Sequence, residues 1–134
     1  MENLALRENG PILDMIIASR DEENRVERRY PLLFDTGSGA SAVDESLLLD
    51  MGLVARNYGE LGFGREKKKT YPLYAAQLSI ADVPSRFFRV FIFGIPGYSS
   101  DLYRGIVGRD FLQHVKFSYD GVNGDVSVTY PRRR

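Results

Sequence analysis

Apolar positions along the chain fall in short runs broken by polar and glycine-bearing turns, with little helical spacing. Residues 12–18, Ile-Leu-Asp-Met-Ile-Ile-Ala, read as a strand buried mostly on both faces. A charged connection at residues 20–24 joins it to a loosely alternating run through Val26, Arg28 and Tyr30, so the two form a hairpin. That second run ends in Leu32-Leu33-Phe34, with Pro31 expected at an edge or a bulge because it has no N–H for the ladder. Residues 70–80 form another strand, Ala81-Asp82-Val83-Pro84 turns the chain, and the aromatic, β-branched stretch 87–93 is the most strand-like of all. Ile106-Val107 is a short strand, and residues 115–119 and 125–130 pair across a loop rich in turn formers. Helical spacing is confined to two places. Residues 43–53 carry Asp44 as an N-cap and Gly52 at the position after the C-cap, and a shorter helix at 111–114 would be capped by Asp110.

At 134 residues the chain is expected to be one domain, with its core at about 12–130 and segments 1–10 and 131–134 flexible or dimer-forming. Eighteen basic residues balance eighteen acidic ones, so no global field points to nucleic acid or to a membrane surface. The basic runs at Lys67–Lys69 and Arg132–Arg134 read as solvated ends. With no cysteine there are no disulfides or thiolate metal sites, and a single histidine, His114, excludes a multi-histidine one. No apolar run approaches the roughly 20 residues of a membrane span. The start, Met1-Glu2-Asn3-Leu4, lacks a signal-peptide hydrophobic stretch, so a cytoplasmic location is expected.

The candidate chemistry sits at Leu32-Leu33-Phe34-Asp35-Thr36-Gly37-Ser38-Gly39-Ala40-Ser41. An apolar strand that runs straight into Asp-Thr-Gly places a carboxylate at the rim of a core. There burial and hydrogen-bond donors compete to set its protonation. Gly37 permits a sharp turn and close approach, and the hydroxyls of Thr36 and Ser38 are available as donors.

This stretch resembles the active-site loop of the retropepsin-like aspartic proteases, in their cellular or bacterial form. Gly105-Ile106-Val107-Gly108-Arg109-Asp110-Phe111-Leu112 is similar to the family's second signature, and the likeness spans about residues 12–130. The resemblance implies a single-lobe, mostly β fold: a closed antiparallel barrel or sandwich with one or two short helices. It also implies a homodimeric aspartic endopeptidase in which Asp35 is catalytic. Because Asp-Thr-Gly occurs once, the second carboxyl must come from a second copy across a two-fold axis. Peptide or protein substrates are then the other partners. Water is the nucleophile, so no metal or organic cofactor is called for.

Further roles follow from the same likeness. Thr36 would reach the partner's main chain, Gly37 would meet substrate main chain, and Ser38 would bond the outer oxygen of Asp35. Gly59, Leu61, Gly62, Phe63 and Gly64 would belong to a flap over the substrate, and residues 94–100 would form one wall of the cleft. Gly108, Arg109 and Asp110 make up the second signature. In viral members the arginine pairs with an acid four residues after the catalytic aspartate. Here that position is Gly39, leaving Asp44 or Asp110 as substitutes. For a dimer sheet, Val126-Ser127-Val128 is a stronger candidate than the N-terminal segment with its Asn9-Gly10-Pro11 turn. The alternative reading is a retropepsin-fold module, weak or inactive in catalysis, that binds peptides or dimerises.

Overall fold

The computed structural model describes residues 10–62 and 64–131. Along them run β1 (Ile12–Ala18), β2 (Glu27–Phe34), β3 (Ala42–Asp44), α1 (Glu45–Asp50), β4 (Asn57–Leu61), β5 (Lys69–Ile80), β6 (Val83–Ile95), β7 (Gly105–Val107), α2 (Arg109–Leu112), β8 (Lys116–Asp120) and β9 (Asp125–Thr129). The expected mostly β architecture with two short helices is present. No helix among the described residues is long and apolar enough to cross a membrane.

One sheet closes on itself. Its strands follow the order β1-β2-β7-β3-β6-β5, and β5 returns to β1 to complete a six-stranded barrel. The long β5 makes closure possible by serving two neighbours on one edge. Gln77 to Ile80 pair with β1, while Lys69 to Leu73 pair with β4, which projects as a hairpin arm. The resemblance implies an antiparallel barrel or sandwich, but this barrel is mixed. β2–β7 and β3–β6 are parallel pairs, because the chain leaves the barrel after β2 and after β3 and re-enters beside them much later.

Side-chain burial explains the local choices. Met15 and Ile17 are buried on one face of β1; on the other Ala18 is buried, Ile12 and Ile16 are half-buried and Asp14 alone is exposed. Pro31 lies opposite Asp14 in β2, ahead of the first pair with β7, where no ladder requires its missing N–H. Its carbonyl accepts the N–H of Arg104 at 2.8 Å. Ile17, Leu32, Leu78 and Ile92 fill the interior together with Phe111 from α2, all fully buried. Phe88 meets Phe111 edge-on at 5.7 Å between ring centres and stacks on His114 at 4.5 Å. The β8–β9 hairpin closes one end of this core, with Phe117 against Phe34 at 5.3 Å and Tyr130 receiving the Ile80 N–H at 3.1 Å.

Asp44 caps α1 as expected, accepting the Ser46 N–H at 3.2 Å, and Gly52 takes the left-handed conformation (φ +77°) just past the helix. Asp110 does not cap α2. The cap is Gly108, without a side-chain bond, and Asp110 stands in the first turn.

Candidate active site

The parallel pair β2–β7 brings the two sequence motifs to one end of the barrel. Leu33 aligns with Ile106 and Phe34 with Val107, so the residues after each strand, Asp35 and Gly108, emerge side by side. The Asp35 N–H donates to Val107 O at 2.9 Å and extends the ladder one step into the loop. There the chain turns on its own carboxylate. Gly37 N donates to Asp35 Oδ1 at 2.9 Å, and Ser38 N to Asp35 O at 3.2 Å. A Cβ on Gly37 would stand 3.2 Å from that Oδ1, so a glycine suits this close approach. Asp35 is half-buried and Thr36 exposed beside it.

Two expectations for this loop are corrected. The Ser38 hydroxyl does not reach Asp35. It donates to Ala40 O at 2.7 Å, closing a local ring two residues ahead, while Gly37 N holds the carboxylate. Neither Asp44 nor Asp110 substitutes for the acid missing at position 39. Arg109 donates from Nη1 to Thr36 O at 2.8 Å, and its main-chain N–H donates to Ser38 O at 2.8 Å. The guanidinium lies against the bare Cα of Gly39, with Nη2 3.5 Å from where a Cβ would stand. Arg109 thus braces the Asp-Thr-Gly turn through its carbonyls.

Asp110 has a different task. Its Oδ1 accepts the Ser41 hydroxyl at 2.7 Å and its Oδ2 the Ser41 N–H at 2.9 Å, while Ser41 Oγ accepts Gly108 N at 3.0 Å. Ser41 is fully buried, so this is a dry clasp between the two motifs. Gly108 is pressed onto the same loop. A Cβ there would fall 2.4 Å from Ala40 O.

A cleft of ≈ 170 Å³ opens over Asp35, Gly37 and Ser38. Leu61, Gly62 and Gly64 of the β4–β5 hairpin border it. Gly59 belongs instead to the stem of that hairpin. It pairs with Tyr71, and a Cβ on it would press on Leu73 and Phe93 at 3.0 Å. Phe63 lies outside the described residues. Tyr98, from the loop at residues 94–100, also lines the cleft, although no sequence signal singles out that residue. Burial first, then the neighbouring Tyr103 and Asp35, push its phenol above the ordinary range, so it stays protonated at neutral pH.

The Tyr98 loop is tethered through Asp44. Ser99 Oγ donates to Asp44 Oδ2 at 2.7 Å and accepts Arg104 Nε at 2.9 Å. Burial opposes ionisation of Asp44, but the bonds from Ser99 and Ser46, with the charge of Arg104, hold its carboxyl below the usual range. One anion therefore fixes both the start of α1 and a cleft wall. The chain matches no protein-family model and no curated protein.

Proposed function

We propose that the protein is a homodimeric aspartic endopeptidase, in which two copies place their Asp35 carboxyls on either side of one water. The observation that carries this reading is the position of Asp35. It follows Phe34 at the buried end of β2, its carboxylate is aimed by Gly37 N, and it lies in a cleft beneath a glycine-bearing hairpin. A single such acid cannot do the chemistry. One carboxylate must take a proton from water while a second acid donates to the scissile carbonyl oxygen. Two carboxyls held about 3 Å apart share one proton, the general arrangement of aspartic proteases. Attack forms a C–O bond and a gem-diol. Its collapse breaks the C–N bond as the carboxyl that took the water's proton passes it to the leaving amine, while a gem-diol hydroxyl returns its proton to the second carboxylate, restoring the pair. The exposed Thr36 sits where a partner's loop would approach, and extended substrate would lie under the hairpins as an added strand.

A second reading is a dimer of the same fold that grips peptides without cutting them. It is favoured by the bracing of Arg109 on Thr36 O, in place of an acid at Gly39. One experiment separates the two. A mixed peptide library is incubated with the protein and with Asp35→Asn at acidic and neutral pH, and cleavage is read by mass spectrometry. Cleavage that disappears in Asp35→Asn supports the peptidase. Cleavage that persists removes Asp35 from the mechanism, and binding without cleavage at any pH favours the module.

A further inference from the structure

A second recess lies outside the Asp35 cleft, at the root of the β4–β5 hairpin. Its volume is ≈ 260 Å³, and it is bounded by the segment leading into β4, by β5 and by the outward face of β6. Two features set it apart. Its apolar wall is unusually open: Val54 is 68% exposed and Phe91 49% exposed, and Leu73 lies between the strands. It also holds two arginines with no acid partner among the described residues.

Arg20 is held rigidly. Its Nε donates to Ala76 O at 3.0 Å and its Nη2 to Val90 O at 2.9 Å, with the guanidinium 4.9 Å from the Phe91 ring centre. No hydrogen bond among the described residues occupies its Nη1. Burial, and then repulsion from Arg89, push its pKa down, and no acid among the described residues pairs with this fixed cation. Arg56, on the same rim, has no hydrogen bond or ion pair among the described residues. The one acid lining the recess, Asp21, is spent on its own turn, accepting Glu23 N at 3.0 Å and Asn24 N at 3.3 Å.

We propose that this recess binds a small organic carboxylate carrying an apolar body, with Arg20 and Arg56 receiving the anion and Phe91, Val54 and Leu73 receiving the body. A planar guanidinium already oriented by two carbonyls loses little freedom when it takes a carboxylate. The volume falls just below the roughly 300–1,000 Å³ of sites for drug-sized ligands, which fits a ligand of one or two residues. Two sources offer this chemistry: the free C-terminal end of a peptide, and a free aryl or alkyl carboxylic acid.

Binding is tested by calorimetry on the Asp35→Asn protein, so that no hydrolysis intervenes and the outcome is independent of the peptidase reading. The probes are N-acetyl-Leu-Phe with a free carboxylate, the same dipeptide as its amide, and 3-phenylpropionate. The free acid is expected to bind about tenfold more tightly than the amide, and Arg56→Gln to weaken it by about tenfold. Arg56 is exposed and makes no hydrogen bond or ion pair among the described residues, so its replacement is expected to leave the fold intact, which an unchanged thermal midpoint checks. Asn57 and Leu73 face each other at the hairpin root, so bound ligand should slow hydrogen exchange there. Stronger binding of the dipeptide acid than of 3-phenylpropionate assigns the site to peptide ends, and equal binding assigns it to free carboxylic acids. Equal affinity for acid and amide, an unaffected Arg56→Gln, or no change in exchange at residues 57 and 73 overturns the proposal.

Discussion

Ser41 and Asp110, 69 residues apart in sequence, are joined by two hydrogen bonds of 2.9 and 2.7 Å, main-chain N–H to Oδ2 and hydroxyl to Oδ1. Through Gly108 N, which donates to the same hydroxyl, the bond reaches the strand end beside Asp35. Asp110→Ala strands two donors of a fully buried residue, and a loss of about 2–3 kcal/mol is expected. Asp110→Asn keeps one acceptor but turns an NH2 toward a donor, so it should cost less, about 1–2 kcal/mol. Urea unfolding of the three proteins checks the order. Equal stability of wild type and Asp110→Ala would mean that the clasp contributes nothing.

Gly108 carries a steric counterpart of that clasp. Its added Cβ would fall 2.4 Å from Ala40 O, 2.6 Å from Ala40 C and 2.9 Å from Ala40 N. All three are main-chain atoms and cannot rotate away. Gly108→Ala therefore has to push the Asp-Thr-Gly loop off β7, at an expected cost of about 2–3 kcal/mol. The displacement should also show as chemical-shift changes at the Gly37 and Ser38 amides, and unshifted amides would show that the strand ends separate without strain.

These two contacts mark the boundary of what the sequence discloses. The strand ending at Phe34, the Asp35 loop, the helix capped by Asp44 and the short strand at Ile106-Val107 are written in contiguous residues, through apolar runs, cap chemistry and turn formers. The Ser41–Asp110 clasp has no local signature, since Ser41 lies in the loop before β3 and Asp110 in the first turn of α2, which meet only when β2 and β7 align in parallel. The three-residue β3 was hidden for a related reason: Ala42 to Asp44 pair with β6 and β7 across the barrel, and nothing in three residues sets a period. The family likeness points Ser38 at Asp35, but a carbonyl two residues away takes its hydroxyl first. Tyr98 has no sequence signature, because a loop tyrosine acquires meaning only from the carboxylate near it.

Asp44 gives a pH dependence with a defined sign. Its carboxyl is held below the usual range when folded and returns to about 4 when unfolded. Its contribution is therefore fully present above pH of about 4 and is lost as the pH falls through the lowered folded value. Asp44→Ala should cost about 1–2 kcal/mol at neutral pH through the lost cap and the released Ser99. Its stability should also fall less steeply than that of the wild type below pH 4. Parallel acid-denaturation curves would refute the assignment.

Tyr74 acts at the other end of the scale. Its hydroxyl donates to Glu45 Oε2 at 2.7 Å, and burial first, then that bond and the charge of Glu45, push its pKa up to about 12. The unfolded chain releases this proton near pH 10, so between about pH 10 and 12 the folded state holds more protons and stability declines as pH rises. Tyr74→Phe removes that slope. Comparing thermal midpoints of the two proteins at pH 9 and pH 11 reads the difference, and the wild type should lose more over the interval.

The proposed pairing of two Asp35 carboxyls makes a quantitative demand on mixtures. Suppose wild-type protein is incubated with an equal amount of Asp35→Asn until subunits have exchanged. Random pairing leaves one pair in four with both acids, so total peptidase activity should fall to about half, although no wild-type protein was removed. A protein that works as independent monomers would keep all of its activity in the same mixture. Dilution provides the companion measurement: activity per chain should decline below the dissociation constant of the dimer and recover on reconcentration. Activity that is proportional to wild-type concentration throughout, and indifferent to the inactive copy, would place the whole reaction within one chain and remove the basis for the proposed mechanism.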